Sequence, residues 1–296
     1  MRRSTTLLSR FSAFFSVSSV PLWSICWLAL RDHQLGSKDV QMTGILLGKA
    51  ALVTGGGSGL GRATALAMAR EGARVAVADI TEDAAASTVG LINASGGQAI
   101  GIGGNVADEA DVAAMVARTV AAFGRVDCAF NNAGISPRNV GPVGQRTHEM
   151  SRQSFDDMLF VNLTGVFMCM KYEIIEMLKT GGGAIVNTAS IAGLVGLPTA
   201  TNYVAAKHGV VGITKTAAME YAQDNIRVNC VNPGYIKTPM TDPTMAARYD
   251  ALMTKVPMNR LGVPEEIAEA VVWMLSSKAS FMTGASQIID GGYYAA

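Results

Sequence analysis

Tyr203 and Lys207 lie four residues apart in Thr201-Asn-Tyr-Val-Ala-Ala-Lys207. On a helix that spacing puts both side chains on one face. A phenol ionises near pH 10, too high for a general base near neutrality. A lysine ammonium about 4 Å away contributes roughly 4 kcal/mol at an effective dielectric near 20, which would lower the phenol's pKa by about three. Such a pair can exchange a proton at neutral pH. Alone it carries little weight, because Tyr-x-x-x-Lys is frequent on amphipathic helices. Two further groups add to it. Ser190 follows the apolar run Gly183-Ala-Ile-Val-Asn-Thr-Ala189, and Asn131-Asn-Ala-Gly134 follows Val126-Asp-Cys-Ala-Phe130. Both runs resemble buried strands, and the C-terminal edge of an open α/β sheet is where ligands bind. The Asn-Asn-Ala-Gly segment is also compatible with a plain turn.

A second chemistry is written in Thr54-Gly-Gly-Gly-Ser-Gly-Leu-Gly61. This loop stands between the strand-like Ala50–Thr54 and a helical run. Gly55 permits a tight turn, Gly59 lets backbone approach a phosphate, and Gly61 lets helix and strand pack. The helix N-terminus offers free N–H groups and partial positive charge to an anion. Asp79 ends the next strand-like run, 18 residues after Gly61. An acidic residue near that spacing accepts hydrogen bonds from an adenosine ribose and repels a 2′-phosphate. Alternatively Asp79 caps the following helix, although Thr81 can do so instead. No Arg or Lys directly follows Asp79, and position 58 is Ser. These features favour NAD over NADP.

The elements that must hold these groups alternate. Strands are predicted at Ala50–Thr54, Arg74–Asp79, Gln98–Gly103, Val126–Phe130, Gly183–Ala189, Ile226–Val231 and Gln287–Asp290. Helices are predicted at Leu60–Glu71, Glu82–Ala94, Asp108–Phe123, Phe155–Lys179 and Tyr203–Gln223. Arg62 and Arg70 fall on the polar side of the first helix. Strands separated by such helices form βαβ units and a parallel sheet. Near-continuous apolar strands imply helices on both faces, and right-handed crossovers give a doubly wound α/β sheet of seven strands. No Pro- or Ser-rich linker divides residues 42–296, so a single Rossmann-type domain is expected there.

The motifs together resemble the classical short-chain dehydrogenases/reductases across residues 46–292. The resemblance rests on the glycine pattern at 54–61, Asn131-Asn-Ala-Gly134, Asn162, Ser190, Tyr203 with Lys207, Asn232-Pro-Gly234 followed by Thr238, Thr283-Gly284 and Asp290-Gly-Gly292. It implies hydride transfer between NAD(H) and a secondary alcohol or ketone. Tyr203 would be the acid/base, Lys207 would lower its pKa and hold the nicotinamide ribose, and Ser190 would orient the substrate oxygen. Asn162 would hold a water behind Lys207. The cofactor would lie on Gly55, Gly57, Ser58, Gly59, Leu60 and Gly61, and on Asp79 with Ile80. Asn105 and Val106 would meet the adenine; the family usually has Asp at that first position, and Asn can bond the adenine amino group through its side-chain oxygen. Asn132, Ala133 and Gly134 would line the site. Pro233, Gly234 and Ile236 would pass the nicotinamide, with Thr238 near its carboxamide. The resemblance also implies a homotetramer or homodimer built on the long helices.

The 296 residues carry 24 Lys+Arg against 23 Asp+Glu, with 49% apolar residues. A near-neutral balance gives no basic footprint for nucleic acid. Four scattered cysteines without a C-x-x-C pair and three scattered histidines without H-E-x-x-H argue against a metal site. Residues 1–41 differ from the rest, with five basic and two acidic residues and no charge between Phe11 and Leu30. A start assigned ahead of Met42, a targeting segment and a membrane anchor all fit that pattern. The serines and Pro21 weigh against a spanning helix, and the expected location is the cytoplasm. Residues 191–202, mostly apolar, should line the substrate pocket. Met240, Met245, Met253 and Met258 suit either a lid over an apolar ligand or ordinary packing. Arg138, Arg146 and His148 suit either an anion site or a solvated loop. His208 and Cys169 are expected to pack. An apolar cyclic or aromatic secondary alcohol is the expected substrate. The rivals are an NADPH-dependent 3-oxoacyl carrier-protein reductase, a non-catalytic dinucleotide-binding regulator and a membrane-anchored enzyme.

Overall fold

The computed structural model describes residues 44–241 and 249–295. The reading of residues 1–41 lies outside the described residues. Seven parallel strands form one sheet: β1 (Ala50–Thr54), β2 (Arg74–Asp79), β3 (Gln98–Gly103), β4 (Cys128–Asn131), β5 (Gly183–Thr188), β6 (Ile226–Pro233) and β7 (Ser286–Ile289), in the order β3-β2-β1-β4-β5-β6-β7. Every neighbouring pair is parallel. Chain order reverses between β1 and β4, which opens a crevice beyond their carboxyl ends.

Alternation within β1 explains the two-sided core. Ala51 and Val53 pack on one face with Met68, Val77, Ile267 and Val271. Ala50 and Leu52 pack on the other with Met115, Phe123, Met168 and Met177. The helices described are α1 (Gly59–Arg70), α2 (Glu82–Ala94), α3 (Glu109–Phe123), α4 (Arg152–Leu159), α5 (Gly165–Lys179), α6 (Thr201–Glu220), the short α7 (Tyr249–Met253) and α8 (Pro264–Leu275), and α1, α3, α5 and α8 supply the helical residues of those two faces. Local signals set their ends. Thr81 caps α2 by accepting from the Ala84 N–H at 3.2 Å, and Asp108 caps α3 at Ala110 and Asp111. Gly124 closes α3 in the left-handed region, at φ 83°.

Three of the longer helices depart from the sequence reading. The helix expected at Phe155–Lys179 begins earlier, at Arg152, where Ser151 accepts from the Ser154 N–H. It is also interrupted: Phe160–Thr164 is a π-helical segment between α4 and α5. The helix expected from Tyr203 starts two residues earlier, at Thr201, and ends at Glu220. α8 was not foreseen, although Pro264 at its first turn and Glu266, which accepts from the Val263 N–H at 2.9 Å, are ordinary start signals. The run Arg152–Lys179 is apolar and long enough to cross a bilayer, yet half of it is buried in the domain.

Candidate active site

One large cavity, about 550 Å³, lies over the carboxyl ends of β1, β4, β5 and β6. At one end stand Asp79, Ile80, Asn105 and Val106; at the other stand Ser190, Tyr203 and Lys207. Ser58, Gly59 and Leu60 line it as well, with Asn132, Ala133, Gly134, Pro233, Gly234, Ile236 and Thr238. Most of the sequence-derived candidates therefore share one cavity. Gly57 and Gly61 do not line it. Both lie behind the loop, where no side chain fits. A Cβ on Gly57 would fall 2.4 Å from the Ala84 carbonyl oxygen, and one on Gly61 would fall 2.1 Å from that of Gly55.

The elongated cavity, its glycine wall and a carboxylate at one end suit a dinucleotide. Gly55 (φ 64°) and Gly59 (φ 52°) adopt the left-handed backbone that brings the loop against the cavity. The Asp79 carboxylate does not cap α2. Its Oδ2 accepts from the Gly57 N–H at 2.8 Å and its Oδ1 from the Ile80 N–H at 2.8 Å. That fixes the carboxylate while leaving lone pairs for ribose hydroxyls. Asn105 departs from expectation: its side-chain oxygen accepts from the Ala107 N–H at 3.0 Å, so an adenine amino group would have to share that oxygen.

β1 and β4 are stitched together beneath the cavity. Thr54 Oγ1 accepts from the N–H groups of Asn132 and Ala133, and Asn132 Nδ2 donates to the carbonyls of Thr54 and Gly55. Asn132 thus shapes the floor as much as it lines it.

Lys207 is almost wholly buried and donates to the Thr188 carbonyl at 2.7 Å. Its ammonium lies 5.6 Å from the centre of the Tyr203 ring. Burial brings Lys207 down to about 8. Burial also pushes the Tyr203 phenol above its ordinary value of 10, while the Ser190 hydroxyl opposes that rise. Where the helical spacing leads one to expect a phenol lowered towards neutrality, burial acts in the opposite direction in the protein by itself. Asn202 steadies the tyrosine, accepting from the Tyr203 N–H at 2.8 Å and donating to the Ser154 carbonyl at 3.1 Å.

Asn162 sits fully buried on the π-helical segment. Its Oδ1 accepts from the Ile135 N–H at 2.8 Å and its Nδ2 donates to the Ile135 carbonyl at 2.9 Å. The side chain pins the loop after β4, so a relay water would have to use its main-chain carbonyl. π-Segments concentrate at functional sites for this kind of local adjustment.

Among the lining residues that sequence reasoning missed are Ile135, Val161, Thr188 and Pro239. They are apolar or main-chain contributors, and only their places beside Gly134, Asn162, Ser190 and Thr238 could have flagged them. Met240 lines the cavity and is exposed, Met253 is buried in the domain and Met258 is exposed. Met245 lies outside the described residues. Arg138, Arg146 and His148 are exposed on the loop after β4 and do not line the cavity. Cys169 is buried, and burial raises its thiol well above the ordinary value.

Known proteins are similar to this chain in sequence and fold. Residues 55–294 match the family model described as enoyl-(acyl carrier protein) reductase. A cyclohexanol dehydrogenase from Acinetobacter sp. is 49% identical over 246 residues, covering 83% of this chain and 94% of that protein. A 2,5-dichloro-2,5-cyclohexadiene-1,4-diol dehydrogenase from Sphingobium indicum is 48% identical, covering 84% and 98%. A solved short-chain type dehydrogenase/reductase from Mycobacterium marinum superposes with a TM-score of 0.80 at 36% identity, covering 85% and 97%.

Proposed function

The chain belongs to the short-chain dehydrogenase/reductase family, and from that premise we propose that it oxidises a cyclic, largely apolar secondary alcohol with NAD as its coenzyme. It is an oxidoreductase acting on secondary alcohols and ketones. The observation that carries the finer reading is the placement of Tyr203, Lys207 and Ser190 at one end of a cavity whose other end holds the Asp79 carboxylate.

Ser190 and Tyr203 would bind the substrate hydroxyl together. Tyr203 would take its proton, and Lys207, held by the Thr188 carbonyl, would stabilise the phenolate. When bound, the nicotinamide coenzyme supplies the hydride acceptor or donor. Asn162 would keep the loop after β4 in place against the reacting end. The apolar lining from Ile135, Val161 and Met240 favours a ring over a charged substrate. The names of the two relatives, which act on ring alcohols, support the same choice.

NAD is favoured over NADP because a 2′-phosphate would meet Asp79, and like charges there repel. That argument also weighs against an NADPH-dependent 3-oxoacyl carrier-protein reductase. A non-catalytic regulator would need a damaged site, whereas Asn162, Ser190, Tyr203 and Lys207 all line the cavity. A homotetramer or homodimer fits the exposed apolar residues on the long helices, Phe160, Phe167, Ile175 and Leu178 with Met219 on α6.

The test offers NAD and NADP to the full chain with aliphatic, cyclic, aromatic, steroid, sugar and 3-hydroxyacyl alcohols, following reduced-coenzyme absorbance. Turnover with NAD on cyclic alcohols is expected. Preference for NADP with 3-hydroxyacyl substrates would overturn the reading.

A further inference from the structure

The glycine loop is held from behind by a side chain that never reaches the cavity. Arg62, half-buried on α1, donates from Nη2 to the Gly57 carbonyl and from Nε to Thr88 Oγ1 at 3.1 Å. The same Nη2 reaches Ser87 Oγ at 3.5 Å. Thr88, fully buried on α2, in turn donates to the Gly56 carbonyl at 2.9 Å. Two consecutive carbonyls of the loop are thus drawn towards the α1–α2 side.

The consequence follows from peptide geometry. No described peptide bond is cis, and in a trans peptide the C=O and N–H point in opposite directions. Drawing the Gly56 carbonyl to Thr88 turns the Gly57 N–H the other way, where it donates to Asp79 Oδ2 at 2.8 Å. Drawing the Gly57 carbonyl to Arg62 likewise turns the Ser58 N–H away from Arg62. Ser58 and Asp79 line the cavity, and Arg62 and Thr88 do not. One arginine therefore sets the direction of the peptide through which the loop meets the cavity.

We propose that Arg62 is a positioning residue for the coenzyme: with Thr88 it orients the Gly56-Gly57-Ser58 peptides so that Asp79 and the Ser58 N–H face the adenosine half of the dinucleotide. The guanidinium donates from Nε and Nη2 to carbonyl and hydroxyl oxygens and does not line the cavity, so it buttresses the loop and does not serve as a phosphate ligand. The inference rests on the coenzyme reading above. It adds a residue to the coenzyme site that makes no contact with coenzyme.

The test compares wild type with Arg62→Met, Arg62→Lys and Thr88→Val as full chains. Arg70→Met serves as control, since Arg70 lies on the same helix and pairs with Glu269 at 2.9 Å, far from the loop. Affinities for NAD and for ADP-ribose are measured by calorimetry, beside kcat and both KM values and the unfolding midpoint. Arg62→Met should weaken NAD and ADP-ribose by the same factor, about tenfold or about 1.4 kcal/mol. At saturating NAD, kcat and the alcohol KM should stay within about twofold, because loss of uniform binding moves KM alone. Arg62→Lys, which keeps one charged donor, should recover part of the loss, and Thr88→Val should show a smaller loss of the same kind. Unchanged affinities in Arg62→Met, or an equal loss in Arg70→Met, would overturn the proposal and leave the coenzyme reading intact. Should Arg62→Met not fold, unchanged affinities in both Arg62→Lys and Thr88→Val would overturn it equally. A wild-type chain that binds neither NAD nor ADP-ribose would remove the coenzyme reading, and the role of Arg62 with it.

Discussion

Glu173 on α5 is fully buried beneath β4, and its removal as a charge should stabilise the protein in a pH-dependent way. Its Oε2 accepts from Asn131 Nδ2 at 2.9 Å, while its Oε1 and the Asn131 Oδ1 have no partner among the described residues. Burial pushes the carboxyl from 4.5 up to about 7, against the opposing hydrogen bond from Asn131. A raised folded-state value means that the folded protein binds its proton more tightly than the unfolded chain does. Below pH 4.5 both states are protonated and the group contributes no penalty. Between 4.5 and 7 only the unfolded chain ionises, so stability falls with rising pH, and above 7 the loss is complete. At about 1.4 kcal/mol per pH unit the loss is about 3 kcal/mol. Glu173→Gln keeps the acceptor for Asn131 and places N–H groups where a bare oxygen stood. Urea titrations at pH 5 and pH 8.5, at fixed protein concentration, should show the variant gaining on wild type by about 3 kcal/mol between the two conditions. In a domain this size that is a rise of roughly 6–12 °C in Tm at the higher pH. A wild-type–variant difference that is the same at both pH values would refute a neutral Glu173 in the folded core.

Tyr203→Phe removes the proton acceptor but not the ring, so turnover should fall by about 10²–10⁴-fold while calorimetric NAD affinity is kept; retained activity would end the proposed mechanism. Asp79→Ala removes the carboxylate that would accept from the ribose hydroxyls and repel a 2′-phosphate, and should narrow the preference for NAD over NADP by about 10–100-fold; an unchanged ratio of kcat/KM values would place ribose recognition elsewhere. Light scattering at micromolar concentration should give the mass of a tetramer or dimer, and a monomer would leave the exposed apolar residues on the π-segment, α5 and α6 unexplained. Fractionation of the full chain should leave it in the supernatant, and recovery with the membranes would favour an anchor within residues 1–41.

The strands were legible because most are short apolar runs bounded by Gly, Asp or Asn, and burial on both faces demands that pattern in the central strands β1, β4, β5 and β6. The helix interruption at Phe160–Thr164 was not, because a π-segment changes backbone pairing without changing the apolar spacing around it. α8 was overlooked although Pro264 and Glu266 announce it, since its predecessor Arg260-Leu-Gly262 interrupts the run. In the site, side chains with one chemistry were easy to name: Asp79, Ser190, Tyr203 and Lys207. Residues acting through backbone were not. Thr188 enters through its carbonyl and Arg62 through the Gly57 carbonyl, and the bond of Asn162, itself named by the resemblance, to the Ile135 backbone was equally hidden. No periodicity or motif reports which carbonyl a distant side chain will meet.

The Tyr203–Lys207 pair shows what helical spacing alone leaves out of its energetics. Four residues of helix place Lys207 and Tyr203 on one face, but the ammonium is anchored to β5 through Thr188. The same burial that excludes water from the pair disfavours both charged forms, lifting the phenol and lowering the ammonium to about 8. Near neutrality, then, the pair in the protein alone rests as phenol and ammonium, and the proton-accepting state must be drawn out by what enters the cavity. A cationic ring beside Tyr203 would favour the phenolate and a neutral ring would not, so alcohol oxidation should show a lower apparent pKa for the essential base than the free protein's phenol has. Equal values in kinetic and direct titrations of Tyr203 would mean that Lys207 alone sets the base, as the helical spacing first suggested.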